Sequence, residues 1–138
     1  MLITSVEIRV RYQETDQMGV VYHGNYFTWF EVARVHLLDR IGCPYADLER
    51  KGFLLPVLDC EAKFHSPAFF DDRLTVEACL RDPPVARISA TYRVLRDKKL
   101  LAEGKTTHAF VSKERKLVRP PESFLRGIEA FVSEENDF

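Results

Sequence analysis

The sequence predicts an α+β domain in which an antiparallel sheet curls around one long helix. Three observations carry this. A long apolar segment with helical spacing follows a first strand-like run. Four segments of alternating apolar and polar residues come next, separated by short connections. A shorter amphipathic segment closes the chain. One helix with this much antiparallel strand suggests two layers.

The elements are read in chain order. Ile3 to Tyr12 alternates, with Val6, Ile8 and Val10 on one face, and reads as a strand. A loop from Gln13 to Val21 follows. Asn25 is placed to cap a helix running to about Ile41. Tyr26, Phe30, Ala33, Leu37 and Ile41 keep helical spacing, and Phe27 and Leu38 widen the stripe. Trp29 and Val32 extend it further, so the helix is expected to be largely enclosed. Gly42 is a stop signal with Pro44 just beyond. Tyr45 to Lys51 suggests a short second helix.

The next segments alternate as strands. Leu58, Cys60, Ala62 and Phe64 form one apolar face, and Leu74, Val76, Ala78 and Leu80 another. Asp82-Pro83-Pro84 breaks the chain. Ile88, Ala90, Tyr92 and Val94 follow, then a turn at Arg96 to Lys99 and a long strand from Leu100 to Ser112. Short connections suggest an antiparallel meander. Pro120 and Pro121 open a terminal helix whose apolar face is Phe124, Leu125, Ile128, Phe131 and Val132.

At 138 residues the chain has the size of one domain, taken as 1–138. Hydrophobic residues are 46% and charged residues 30%, as in an ordinary globular protein. A net charge of −1 gives no general attraction for nucleic acid or an anionic membrane. No apolar run has the length of a membrane span, and the first ten residues lack the pattern of a secretory leader. Cys43, Cys60 and Cys79 are odd in number and widely spaced, which suits reduced thiols in a cytoplasmic protein. His23, His65 and His108 lie far apart in sequence, and no spacing suggests a metal site.

The segment richest in chemistry runs from Arg11 to Tyr26, R-Y-Q-E-T-D-Q-M-G-V-V-Y-H-G-N-Y. Asp16 sits in a loop just upstream of a helix start, where free backbone N–H groups can stabilise negative charge. A carboxylate beside such donors supplies two parts of an acyl-transfer site. Each residue also has a plainer reading. Asp16 suits an Asx-turn and Gly19 a positive φ. Tyr22 and His23 suit ordinary packing, and Asn25 a helix cap. Glu31 suits a surface pair with Arg34. Asp71 and Asp72 suit a solvated turn.

The order of elements resembles the hotdog fold. The segment Y-Q-E-T-D-Q-M-G-V-V-Y-H-G-N-Y-F-T-W-F-E resembles the signature of the 4-hydroxybenzoyl-CoA thioesterase family, especially the bacterial branch associated with the Tol–Pal system. F-H-S-P-A-F-F-D-D-R-L and L-L-A-E-G-K-T-T-H-A-F-V are weaker matches in the right order. The resemblance implies that Asp16 is the catalytic carboxylate. It implies that the backbone N–H of His23 polarises the thioester carbonyl, with Tyr22, Asn25 and Tyr26 near the substrate. Glu31 stands as a competing carboxylate, because another hotdog class places its acid on the central helix.

The implied reaction is hydrolysis of an acyl-CoA to a carboxylic acid and free CoA, with no cofactor. Asp16 either attacks the carbonyl or activates water. Two other functions compete. One is a hotdog hydratase or dehydratase, although its D-x-N-P-x-H arrangement is absent. The other is a non-catalytic acyl-CoA-binding module. Arg87, Arg93, Arg96, Lys98, Lys99, Lys113, Arg115 and Lys116 are candidate partners for CoA phosphates. Phe27, Phe30, Val57, Leu58 and Phe64 suit either an acyl pocket or the core. Exposed sheet edges and the resemblance together imply a homodimer or homotetramer.

Overall fold

The computed structural model describes residues 2–80 and 87–136, with residues 132–136 described by backbone alone. The Asp82-Pro83-Pro84 break lies outside the described residues. The elements are β1 (Leu2–Arg9), α1 (Asn25–Arg40), α2 (Tyr45–Arg50), β2 (Val57–Phe64), β3 (Arg73–Leu80), β4 (Arg87–Arg96), β5 (Lys99–Ala109) and α3 (Glu122–Asn136). The five strands form one antiparallel sheet in the order β1-β3-β4-β5-β2.

This order corrects the meander. Strands β3, β4 and β5 are consecutive neighbours, but β2 pairs with β5 at the far edge. The segment 65–72 therefore carries the chain past three strand spacings, about 14 Å, before β3 begins. Alternation encodes which residues face the core, not which strand lies alongside. β2 also lacks the buried face expected of it: Leu58, Cys60 and Phe64 are exposed, and its register shifts between Val57 and Asp59. As an edge strand it has one neighbour and little cover.

The core lies between α1 and the sheet. Tyr26, Trp29, Phe30, Ala33, Leu37 and Leu38 turn from the helix onto Leu2, Leu74, Val76, Tyr92, Val94 and Leu101. Full enclosure does not follow, because Val32 is 42% exposed and Val35 37%. The sheet covers one side of a helix whose apolar stripe extends further round. Gly42 ends α1 as expected, at φ +77. The N–H of Cys43 bonds the Leu38 carbonyl, and that of Gly42 bonds the Asp39 carbonyl.

Two positions make the packing testable. The Phe30 ring stacks on Tyr92 at 4.5 Å and lies against the backbone of Gly104. A Cβ at position 104 would sit 2.3 Å from the Phe30 ring and 3.0 Å from the Glu61 carbonyl oxygen. Gly104→Ala is expected to cost about 1–3 kcal/mol, read as a lower urea midpoint. The β4–β5 hairpin turns through Asp97 and Lys98, both at positive φ, in the manner of a two-residue primed turn. Lys98 holds this conformation against its own Cβ. Lys98→Gly should relieve that strain and stabilise the protein by up to about 1 kcal/mol, visible as a raised melting temperature.

Candidate active site

Residues 14–22 fold back on themselves immediately before α1. Tyr22 N–H donates to the Glu14 carbonyl at 2.9 Å, Thr15 bridges Val21, and Asp16 N–H donates to the Val20 carbonyl at 2.9 Å. The tip closes when Gly19 N–H donates to the Asp16 carbonyl at 3.0 Å. Gly19 has φ +80, which a side chain would resist. Asp16 is half-buried, and its Oδ1 accepts the Met18 N–H at 2.9 Å. The Asx-turn reading is therefore correct, and it leaves Oδ2 with no hydrogen bond among the described residues.

The helix start differs from expectation. Gly24, not Asn25, occupies the cap position, and no side chain among the described residues caps α1. The Asn25 amide is used elsewhere: Nδ2 donates to the Glu14 carbonyl at 2.7 Å. The backbone N–H groups of His23 and Gly24 have no acceptor among the described residues. Two unengaged donors at the positive end of a helix form a place for an oxyanion.

Glu14 is a site residue that the sequence alone does not single out. It is 4% exposed. Its Oε1 accepts the Arg11 N–H and its Oε2 accepts the indole N–H of Trp29, both at 2.8 Å. The available signal was Trp29 itself, since a buried indole N–H needs an acceptor.

The other site residues form an aromatic surround. The exposed Tyr22 ring lies 4.4 Å from that of His23, which is 6.3 Å from Phe64. Tyr26 is only 3% exposed and packs between Trp29 and Phe64. Burial raises its phenol pKa, partly offset by the nearby Ala68 backbone. The segment after β2 is pinned to the same loop, because Val21 N–H donates to the Ala68 carbonyl at 2.9 Å. No hydrogen bond joins Asp16 to His23 directly among the described residues; their placement is set by the backbone between them.

A family model described as the Thioesterase-like superfamily matches residues 10–128. The chain belongs to this family. Its fold is the hotdog fold, as the solved structures make plain. A Staphylococcus aureus DHNA-CoA thioesterase structure has a TM-score of 0.90 and 30% identity, covering 99% of this chain and 95% of that one. A hypothetical protein, TT1821, from Thermus thermophilus has a TM-score of 0.87 and 37% identity, covering 94% and 97%. The Bacillus subtilis protein named "Putative acyl-CoA thioesterase YneP" is 43% identical over 82 residues, 59% of each chain. The match thus spans 59% of that relative's length.

Within this thioesterase-like frame the remaining candidates separate. Glu31 is exposed on α1, and Arg34 donates to the Tyr92 hydroxyl at 3.1 Å rather than pairing with it. Asp71, at positive φ, accepts from Arg9 at 2.6 Å, which holds its carboxyl below the usual range. Asp72 accepts from Arg96 and from the Phe69 N–H. These acids fasten the end of β1 and the segment before β3. His65 approaches Glu103 at 3.5 Å, whereas His108 is buried in β5. Among the described residues, no group of three His, Cys, Asp or Glu side chains is arranged to hold a metal. Cys43 is buried, Cys60 is exposed and Cys79 lies between.

The basic residues do not form one patch. Lys99 begins β5 and Ala109 ends it, so the Lys98–Lys99 pair and the Lys113–Lys116 group lie at opposite ends, more than about 30 Å apart along the strand. Phe64 pairs with Ala102, so Lys98 and Lys99 share the end that holds the aromatic surround. A concavity of about 600 Å³ lies elsewhere, on the sheet face away from α1. Glu61, Lys63, Glu77, Arg93, Glu103 and Lys105 line it with mixed charge, and neither Asp16 nor His23 reaches it.

Proposed function

We propose that this chain is an acyl-CoA thioesterase, hydrolysing an acyl-CoA to a carboxylic acid and free CoA. Asp16 is the nucleophile or general base, and the His23 backbone N–H polarises the carbonyl. The observation that carries this reading is one carboxylate oxygen with no partner among the described residues, on a loop that leads into a helix start whose N–H groups are likewise unengaged among them. Family membership and the names of the relatives support the same chemistry. Tyr22 and Asn25 flank the donors, and Tyr26 supports the aromatic wall beneath the substrate. CoA belongs to the substrate, so no cofactor is required.

The chemistry follows from the donors. As Asp16 attacks, or as it takes a proton from an attacking water, charge moves onto the thioester oxygen. A fixed N–H aimed at that oxygen strengthens as the charge grows, and losing one such donor typically costs about 10²–10³-fold in rate. The C–S bond then breaks and CoA leaves as thiolate or thiol. Direct attack passes through a mixed anhydride; base catalysis does not. Free thiol release from a panel of acyl-CoAs, with product identification, tests the activity. Hydrated acyl-CoA or unchanged ligand as the only outcome would overturn it.

His23→Ala should reduce turnover less than Asp16→Asn, because the backbone donor survives the substitution. Equal damage in an intact fold would move the role to the imidazole.

We further infer a single domain over residues 1–138, a cytoplasmic setting and, within the family, the branch associated with the Tol–Pal system. Support for the branch is the T-D-x-x-G-V-V-Y-H-x-N-Y frame. Among the described residues no helix is long and apolar enough to cross a membrane. A homodimer, with or without further pairing to a tetramer, is the expected assembly. β2 is a sheet edge exposing Val57, Leu58 and Phe64, and exposed edges favour pairing. Tyr12, Met18 and Phe70 add apolar surface on the loops that flank the site. Sedimentation at assay concentration should give at least a dimer; a fully active monomer would contradict it.

A further inference from the structure

We propose that Glu14 is a positioning residue for thioester hydrolysis, fixing Asp16 and the His23 N–H relative to one another. The proposal rests on the thioesterase reading above and deepens it. Glu14 accepts four hydrogen bonds. The carboxylate takes the Arg11 N–H and the Trp29 indole N–H, both at 2.8 Å. The carbonyl takes the Tyr22 N–H at 2.9 Å and the Asn25 amide at 2.7 Å. Arg11 leads into the loop from β1, Tyr22 immediately precedes His23, and Asn25 and Trp29 belong to α1. Asp16 follows two residues later on the same backbone. The carboxylate and oxyanion ends of the site therefore hang from one buried anchor.

The anchor needs a carboxylate. Two N–H donors point at two oxygens, and an ionised Glu accepts on both. A Gln offers one acceptor and turns an NH₂ toward the other donor, leaving a buried N–H unsatisfied. Burial keeps Glu14 from the substrate itself, so its effect passes through Asp16 and His23. Displacement by about 1 Å at a site of this kind can cost on the order of 10²-fold in rate.

The test uses the full chain and five variants: Glu14→Gln, Trp29→Phe, Glu14→Gln with Trp29→Phe, Asp16→Asn, and Val94→Ala. Val94 is buried in β4, and its truncation supplies a destabilised control. Thiol release is measured per folded molecule, well below each variant's melting temperature, as separate kcat and KM. Glu14→Gln should lower kcat by on the order of 10²-fold with little change in KM, while Val94→Ala keeps its kcat. Trp29→Phe retains an aromatic ring but removes one donor, and should lower kcat by a smaller factor. It carries the test if Glu14→Gln does not fold. The double variant removes the donor that would face the Gln amide, so its kcat should exceed that of Glu14→Gln alone. Near wild-type kcat in folded Glu14→Gln, or a loss matched by Val94→Ala, overturns the proposal while leaving Asp16 untouched. Normal turnover in Asp16→Asn would instead overturn the reading on which it rests.

Discussion

Replacing Asp16 with Asn should lower kcat for thiol release by about 10²–10⁴-fold while fold and CoA affinity stay near wild type. The geometry makes this substitution clean. Oδ1 accepts the Met18 N–H, and an amide oxygen can do the same, so the turn survives. Oδ2 has no protein partner among the described residues, and there an NH₂ group replaces the oxygen free to attack or accept a proton. Asp16→Ala removes the turn bond as well, so loop damage and lost chemistry separate when the two variants are compared. Circular dichroism and urea midpoints establish the fold, and thiol release gives kcat. A folded Asn variant with near-normal kcat would end the central role of Asp16. Loss of activity in Glu31→Gln, with the fold intact, would point to the helix carboxylate instead.

Much of the architecture was legible because apolar periodicity is a local signal. Val6 and Ile8 marked β1's inward side, and Phe30, Ala33 and Leu37 marked the buried side of α1. Gly42 ended the helix in the expected conformation. What failed was information carried between distant segments. The partner of β2 depends on a crossing past β4 and β5 that alternation does not encode. The same holds in the site. Asp16 and its turn were readable from neighbours two residues away. The Asn25 amide looked like a cap because local rules cannot see the Glu14 carbonyl eleven residues upstream. Glu14 was passed over for the same reason: its donors come from Arg11 on one side and Trp29 on the other, and only the folded loop brings both to one carboxylate.

Acid should destabilise this protein through His108, well above the pH at which exposed carboxylates titrate. The side chain is fully buried in β5, and burial, reinforced by the nearby Arg34 charge, lowers its pKa from 6.5 to about 4. Nε2 contacts the Thr106 hydroxyl at 2.8 Å, and that hydroxyl lies 2.6 Å from the Tyr92 hydroxyl. Nδ1 has no hydrogen bond of good geometry among the described residues, although the Leu55 and Pro56 carbonyls and Asp59 lie near enough to oppose part of the shift. The folded protein thus holds the neutral ring, while the unfolded chain takes up a proton below about pH 6.5. Stability from this group is complete above that pH and falls as pH drops toward 4, by about 3 kcal/mol in all. Asp71, held low by Arg9, keeps its contribution above its ordinary value of 3.8 and loses it only below, outside this window. Urea midpoints between about pH 7 and pH 4 should therefore fall steeply in the wild type and less in His108→Gln, whose amide does not titrate. Parallel slopes would remove His108 as the source. The effect is also distinct in space from the proposed catalytic site: His108 pairs with Val57 at one end of β2, whereas Phe64, beside His23, lies at the other. A kcat measured per folded molecule should not follow the stability curve.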